Sequence, residues 1–190
     1  VLPSAPCWLQ QVHGNHVIHL DAWRPGLEAD AVWTDRPGQV CAILAADCLP
    51  ILIADRQGEL VGAVHAGWRG LAGDILAAMI DALPLPSDRL VAWIGPSISA
   101  PYYEVDAPVR EAILRLDDAL SPCFHPRRAG HWQADLKSVA RRRLLGLGVD
   151  EVFDAKLCTA AEPQRFFSHR RDRGRSGRQA NLIWIDPGRE

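Results

Sequence analysis

Apolar and polar positions fall into short blocks along the chain. Runs rich in Val, Ile, Leu and Trp, bounded by Gly, Pro or Asp, recur at His16–Leu20, Ala31–Thr34, Val40–Leu44, Ile51–Ala54, Leu60–His65, Leu90–Ile94, Glu151–Asp154 and Ala180–Ile185. Each has the length and β-branched character of a strand. Three other stretches follow a helical period. Residues 71–83 place Leu71, Ile75, Met79 and Leu83 four apart, with Leu76 and Ile80 widening the stripe. Residues 107–116 follow Asp106 as N-cap with Pro108 in the first turn, and residues 136–145 follow Asp135 and stop before Gly146 and Gly148. Several strands precede the first helix, so the order is not a regular βαβ alternation. The pattern predicts a mixed α/β (α+β) layered sandwich with helices packed outside the sheet.

Composition narrows the class. A chain of 190 residues suits one domain, here residues 1–190, with a sizeable core. The net charge of −2 gives no general attraction to nucleic acid or an anionic membrane. No run approaches the roughly 20 apolar residues of a membrane span, and the first residues carry no basic, then apolar, leader pattern. Five irregularly spaced cysteines (Cys7, Cys41, Cys48, Cys123 and Cys158) do not form a disulfide framework, which fits a reducing cytoplasm.

Candidate chemistry gathers at strand ends. His13 precedes Gly14 in a turn before a strand. Cys48 follows Asp47 in "AADCLPILIAD", and His65 closes the strand of "VGAVHAGWRG". Imidazole and thiolate donors suit zinc, and three protein ligands leave a fourth position open. Asp47 is placed to orient a ligand histidine or relay a proton. The same residues suit an ordinary buried cysteine with two capping histidines, or a Cys48–His65 nucleophilic pair. The remaining histidines near the start, His16 and His19, read as surface or partly buried strand residues. The turn "AGWRG" leads into a helix, with Gly67 and Gly70 opening the backbone, Arg69 offering a forked donor to an anion and Trp68 packing. Near the end, Ser168, Arg170, Arg171, Arg173, Arg175 and Arg178 crowd a loop that is either simply solvated or a phosphate clamp. The cluster is too local for a nucleic-acid surface, and no aromatic ladder runs through it.

Taken together, "QVHG" at 11–14, "ADCLPILIAD" at 46–55, "VHAGWRG" at 64–70, "IGPSISAPYYEV" at 94–105, "DLKSVARRRL" at 135–144 and "FFSHRRD…SGRQANLIWI" at 166–185 resemble the YfiH-like family, also called the laccase-domain or purine nucleoside phosphorylase family. The resemblance implies a layered αββα-type sandwich similar to cytotoxic-necrotizing-factor-like cysteine hydrolases. It implies a zinc site, with copper as the alternative metal, at His13, Cys48 and His65. It implies a purine nucleoside enzyme, acting by phosphorolysis of adenosine, inosine, guanosine or methylthioadenosine and by deamination of adenosine. Cys48, His65 and Asp47 are then the expected catalytic residues, and Arg69, Ser168, Arg170 and Arg178 the expected substrate and phosphate contacts. The partners are a purine nucleoside and phosphate, in a monomer or small homo-oligomer. The family's Gly-rich, Ser-containing N-terminal segment has no counterpart before Cys7, and His169 stands where an aromatic residue is common. A copper laccase is the second reading, although a multicopper oxidase needs about ten histidines and this chain has seven. A Cys–His hydrolase and a non-catalytic nucleoside- or metal-binding module are the others.

Overall fold

A computed structural model describes residues 1–188 of the chain. In chain order the elements begin with β1 (Cys7–Trp8), β2 (Val17–His19), β3 (Ala31–Thr34), β4 (Val40–Ala45), β5 (Leu49–Asp55) and β6 (Val61–Ala66). Two helices follow, α1 (Trp68–Ala72) and α2 (Ile75–Ala82), then β7 (Leu90–Ile94), β8 (Glu104–Asp106) and α3 (Ala107–Leu114). The chain closes with β9 (Phe124–Arg128), β10 (His131–Ala134), α4 (Leu136–Gly146), β11 (Glu151–Asp154) and β12 (Gln179–Trp184).

A six-stranded mixed sheet of order β11-β7-β5-β6-β3-β2 forms the centre. Its strands separate two cores by the alternation of their side chains. Leu49, Ile51 and Ile53 of β5 pack under the helices with Leu76, Met79 and Leu144. Burying each such side chain contributes on the order of 2 kcal/mol. Leu52 and Ala54 point the other way, toward a core built with Cys41, Ile43 and Ile183 from the three-stranded sheet β1-β4-β12. On β6, Val61 and Ala63 join this second core, so His65, two residues on, lies on the same side. Gly62 faces the helices, where a Cβ would run into Met79.

The expected eight strands are all present within a residue or two of their bounds. One expectation is corrected. The stripe at 71–83 is not one helix: it breaks at Gly73 and Asp74, where Asp74 takes a φ of 58° and its carboxylate receives the Arg143 guanidinium in two bonds of 2.9 and 2.6 Å. The layers are helices, central sheet and small sheet, a mixed α/β arrangement. A third small sheet, β8-β10-β9, was not expected, because His125–Arg128 are exposed and polar on both faces and show no alternation.

Candidate functional site

Strand register brings the three expected metal donors together. β5 pairs antiparallel with β6, Pro50 opposite His65 and Leu49 opposite Ala66. One step further places Cys48 opposite Gly67. His13 arrives from the β1–β2 connection in a turn with a φ of 61°. The donor atoms of His13, Cys48 and His65 all lie within 4.8 Å of one another. The two imidazoles meet edge to face, with centroids 4.8 Å apart. His65 is buried, Cys48 half-buried and His13 exposed toward the cavity. Gly67 makes the cluster possible, because a Cβ there would sit 2.9 Å from Cys48 Sγ and 3.0 Å from the His13 ring. The donor set and its spacing fit a transition metal of zinc or copper type.

One carboxylate, overlooked in the sequence, orders this cluster. Asp30 is fully buried and accepts hydrogen bonds from the backbone N–H groups of Val12, His13 and Gly14 at 3.2, 2.9 and 2.7 Å. It also pairs with His65 Nδ1 at 2.8 Å, and its main-chain oxygen accepts from His65 N at 2.7 Å. Asp30 therefore fixes both histidines, one through its backbone and one through its ring, and leaves His65 Nε2 as the ligating nitrogen. Burial opposes the ionised carboxyl, but the His65 bond and the backbone donors outweigh it and hold Asp30 below the usual carboxylate range. Burial also opposes a thiolate at Cys48, and there the His13 and His65 hydrogen bonds win, lowering the thiol. At His65, burial disfavours the imidazolium, while Asp30 and Cys48 raise its basicity. Gln11 adds a second anchor. Its amide both donates to Leu44 O and accepts from Leu44 N, at 2.7 Å each, and so pins the His13 segment to β4.

Two expected residues are placed differently. Asp47 does not orient a histidine. Its carboxylate accepts from Thr159 Oγ1, Ser168 Oγ and Arg170 N at 2.5, 3.0 and 2.7 Å, and Asp30 holds the position next to His65. Ser168 is fully buried with its hydroxyl donated to Asp47, so it is not a free donor for a phosphate.

The His13, Cys48 and His65 cluster opens into a cavity of about 550 Å³, the size of a small-molecule site. Arg69, Arg170 and Arg178 line it, with Trp68, Tyr103 and His169. The Arg69 guanidinium lies over the Trp68 ring at 4.6 Å, and that of Arg170 over Tyr103 at 4.8 Å. Trp68 therefore both packs on the core and forms cavity wall. Burial pushes the Tyr103 hydroxyl up to about 12, so it keeps its proton near neutral pH. The result is a concave site with a soft-donor cluster at its base and cationic forks at its rim.

Comparison with known proteins gives the family and the fold likenesses of the chain. The family described as "Multi-copper polyphenol oxidoreductase laccase" matches residues 1–186. A Xylella fastidiosa protein named purine nucleoside phosphorylase is 46% identical over 192 residues, covering 97% of this chain and 74% of the relative. The Escherichia coli K12 protein named purine nucleoside phosphorylase YfiH is 41% identical over 186 residues, covering 97% of this chain and 75% of its own length. Among solved structures, a Neisseria meningitidis protein superposes with a TM-score of 0.91 at 40% identity, covering 95% of this chain and 75% of that one. YlmD from Geobacillus stearothermophilus does so with a TM-score of 0.83 at 32% identity, covering 95% and 74%.

Proposed function

The chain belongs to the laccase-domain family that includes the YfiH proteins, and from that premise we propose that it is a metal-dependent purine nucleoside phosphorylase. The observation that carries the reading is the shared cavity: His13, Cys48 and His65 line it together with Arg69 and Arg170. Phosphorolysis needs both sets of groups. A phosphate oxygen attacks C1′ of the ribose while the C1′–N9 bond breaks. The sugar gains positive charge in passing, and the purine leaves with the bonding electrons and takes up a proton. The forked guanidinium groups of Arg69 and Arg170 hold the phosphate and orient it. Arg178 is a weaker candidate, because its Nη1 is already spent on Ser176 and Gly177 oxygens at 3.0 Å. Tyr103 keeps its proton and offers a neutral donor to the cavity. His13, Cys48 and His65 would hold a zinc ion, which would supply Lewis acidity to a departing purine anion and would equally serve adenosine deamination.

The experiment is a product analysis with inosine and adenosine, with and without phosphate. Phosphorolysis gives base and ribose 1-phosphate in equal amounts and nothing when phosphate is omitted. Inosine formed from adenosine without phosphate assigns the deaminase arm. Formation of neither product by metal-loaded protein would refute the reading.

The alternatives have unequal support. A polyphenol laccase needs several adjacent copper sites. Among the described residues one His/Cys cluster of three donors is present, His13, Cys48 and His65. A cysteine hydrolase has a specific observation in its favour: Asp30, His65 and Cys48 line up as orienter, base and nucleophile when no metal intervenes. Stoichiometric alkylation of Cys48 in metal-free protein that remains active would favour it.

A further inference from the structure

One buried carboxylate links the turn before Cys48 to the turn carrying Arg170, and we propose that Asp47 is a positioning residue that sets Arg170 against the anion. The proposal rests on the reading of Arg170 as an anion-binding residue.

Asp47 stands immediately before Cys48, only 7% exposed, in the left-handed region with a φ of 84°. This conformation is costly for a side chain other than glycine, and Asp is among the residues that tolerate it. Its carboxylate lies among donors from segments more than a hundred residues away in sequence. Oδ1 accepts from Thr159 Oγ1, and Oδ2 from Ser168 Oγ and from the backbone N–H of Arg170. Ser168 Oγ accepts in turn from Arg171 N at 3.2 Å. Thr159 and Ser168 are both fully buried. Among the hydrogen bonds of the described residues, no basic side chain donates to Asp47. A buried carboxylate held by hydroxyl and backbone donors, with the Arg171 guanidinium acting on it through charge alone, is expensive unless its partners are fixed, so it selects one arrangement of the turn over others.

The turn it selects carries Arg170. The Arg170 backbone is tied to Asp47 at 2.7 Å. Its side chain lies over Tyr103, with Nη1 donating to Glu104 O at 3.0 Å. The remaining guanidinium N–H groups are left for a ligand in the cavity. Asp47 thus joins the turn bearing Cys48 to the turn bearing the anion fork; the residue lines the cavity, and its carboxylate is engaged by these protein donors. This explains why an acid beside Cys48 faces away from His65.

The test uses Asp47→Asn, which tolerates the same φ and keeps one acceptor oxygen, with Ser168→Ala as a second variant should the first fail to fold. Three readings are taken on the zinc-loaded protein: bound zinc, amide hydrogen exchange over residues 166–174, and steady-state kinetics with inosine and inorganic phosphate. The expected result is unchanged zinc content and faster exchange at 166–174. KM for phosphate rises about tenfold, while kcat at saturating phosphate stays within about twofold. Ser168→Ala moves the same readings in the same direction by a smaller factor. Unchanged exchange at 166–174 in both variants overturns the proposal, as does loss of zinc in step with loss of activity. Exchange is read without turnover. Wild-type protein lacking phosphorolysis would therefore sink the functional reading alone, and unchanged exchange would sink the Asp47 proposal alone.

Discussion

At the scale of single residues, the site is a matter of which atoms are allowed near Cys48. His13, Cys48 and His65 stood out in the sequence as donors at the ends of apolar runs, but that pattern suited an ordinary buried cysteine with two histidines as well, and the metal reading came from the family resemblance. Asp30 was not legible. One acid before "AVWT" looks like any strand boundary, and only the pairing of β3 with β6, Ala31 opposite Val64, puts it beside His65. Asp47 misled for the complementary reason: adjacency to Cys48 in sequence says nothing about where a side chain with positive φ points. Gly67 was read as a helix-start glycine, and its tighter role is to leave room for two donors. Gly67→Ala has an acceptable backbone, with φ at −75°, but its Cβ would meet Cys48 Sγ and the His13 ring. The substitution is expected to weaken zinc binding about tenfold or more while leaving the fold intact. Competition with a chromophoric chelator, alongside far-UV circular dichroism, reads both. Wild-type zinc affinity in Gly67→Ala would mean that the donors do not converge where the site places them.

At the scale of elements, periodicity found what is half-buried and missed what is short or polar. The strands of the central sheet were legible because each buries at least one face. The sheet β8-β10-β9 was hidden by exposed residues such as Arg127 and Arg128. The break between α1 and α2 escaped because the apolar stripe continues across it, and its cause is a tertiary partner, Arg143, 69 residues away. The β5–β6 connection shows the same dependence on distant partners. Asp55, buried at the end of β5, receives Arg89 Nε and Nη2 at 3.0 and 2.9 Å and the backbone N–H groups of Gln57 and Glu59 at 3.1 Å each. Burial alone would raise this carboxyl, but the Arg89 fork and the two backbone donors outweigh it and hold it below the usual range. The carboxyl thus favours folding at any pH above its ordinary value of about 3.9, and that contribution is lost as pH falls through the lowered value. Asp55→Asn should lower Tm at pH 7 and flatten the fall in Tm below about pH 4. Thermal melts from pH 7 to pH 3 check it. An acid limb as steep in the variant as in the wild type would assign acid sensitivity to other carboxylates.

At the scale of the whole molecule, the candidate metal donors arrive from three separate places: the β1–β2 connection, the turn before β5 and the end of β6. They therefore tie the small sheet's approach segment to the central sheet, and the layered fold exists in part to make that junction. The number and order of layers followed from the sequence only in outline, because the outer face of a small sheet carries no distinct period. Among the described residues no helix is long and apolar enough to cross a membrane. Zinc bound at such a junction favours the folded state, by about 2.7 kcal/mol at a hundredfold excess over Kd. The most direct measurement joins this linkage to function. Zinc is stripped from the protein with a chelator and restored stepwise, and Tm and phosphate-dependent release of hypoxanthine from inosine are followed at each step, with Cys48→Ala carried in parallel. The predicted result is that Tm and turnover rise together and saturate at one zinc per chain, and that the variant gains neither. Full turnover in the stripped protein, or in Cys48→Ala, would contradict the account.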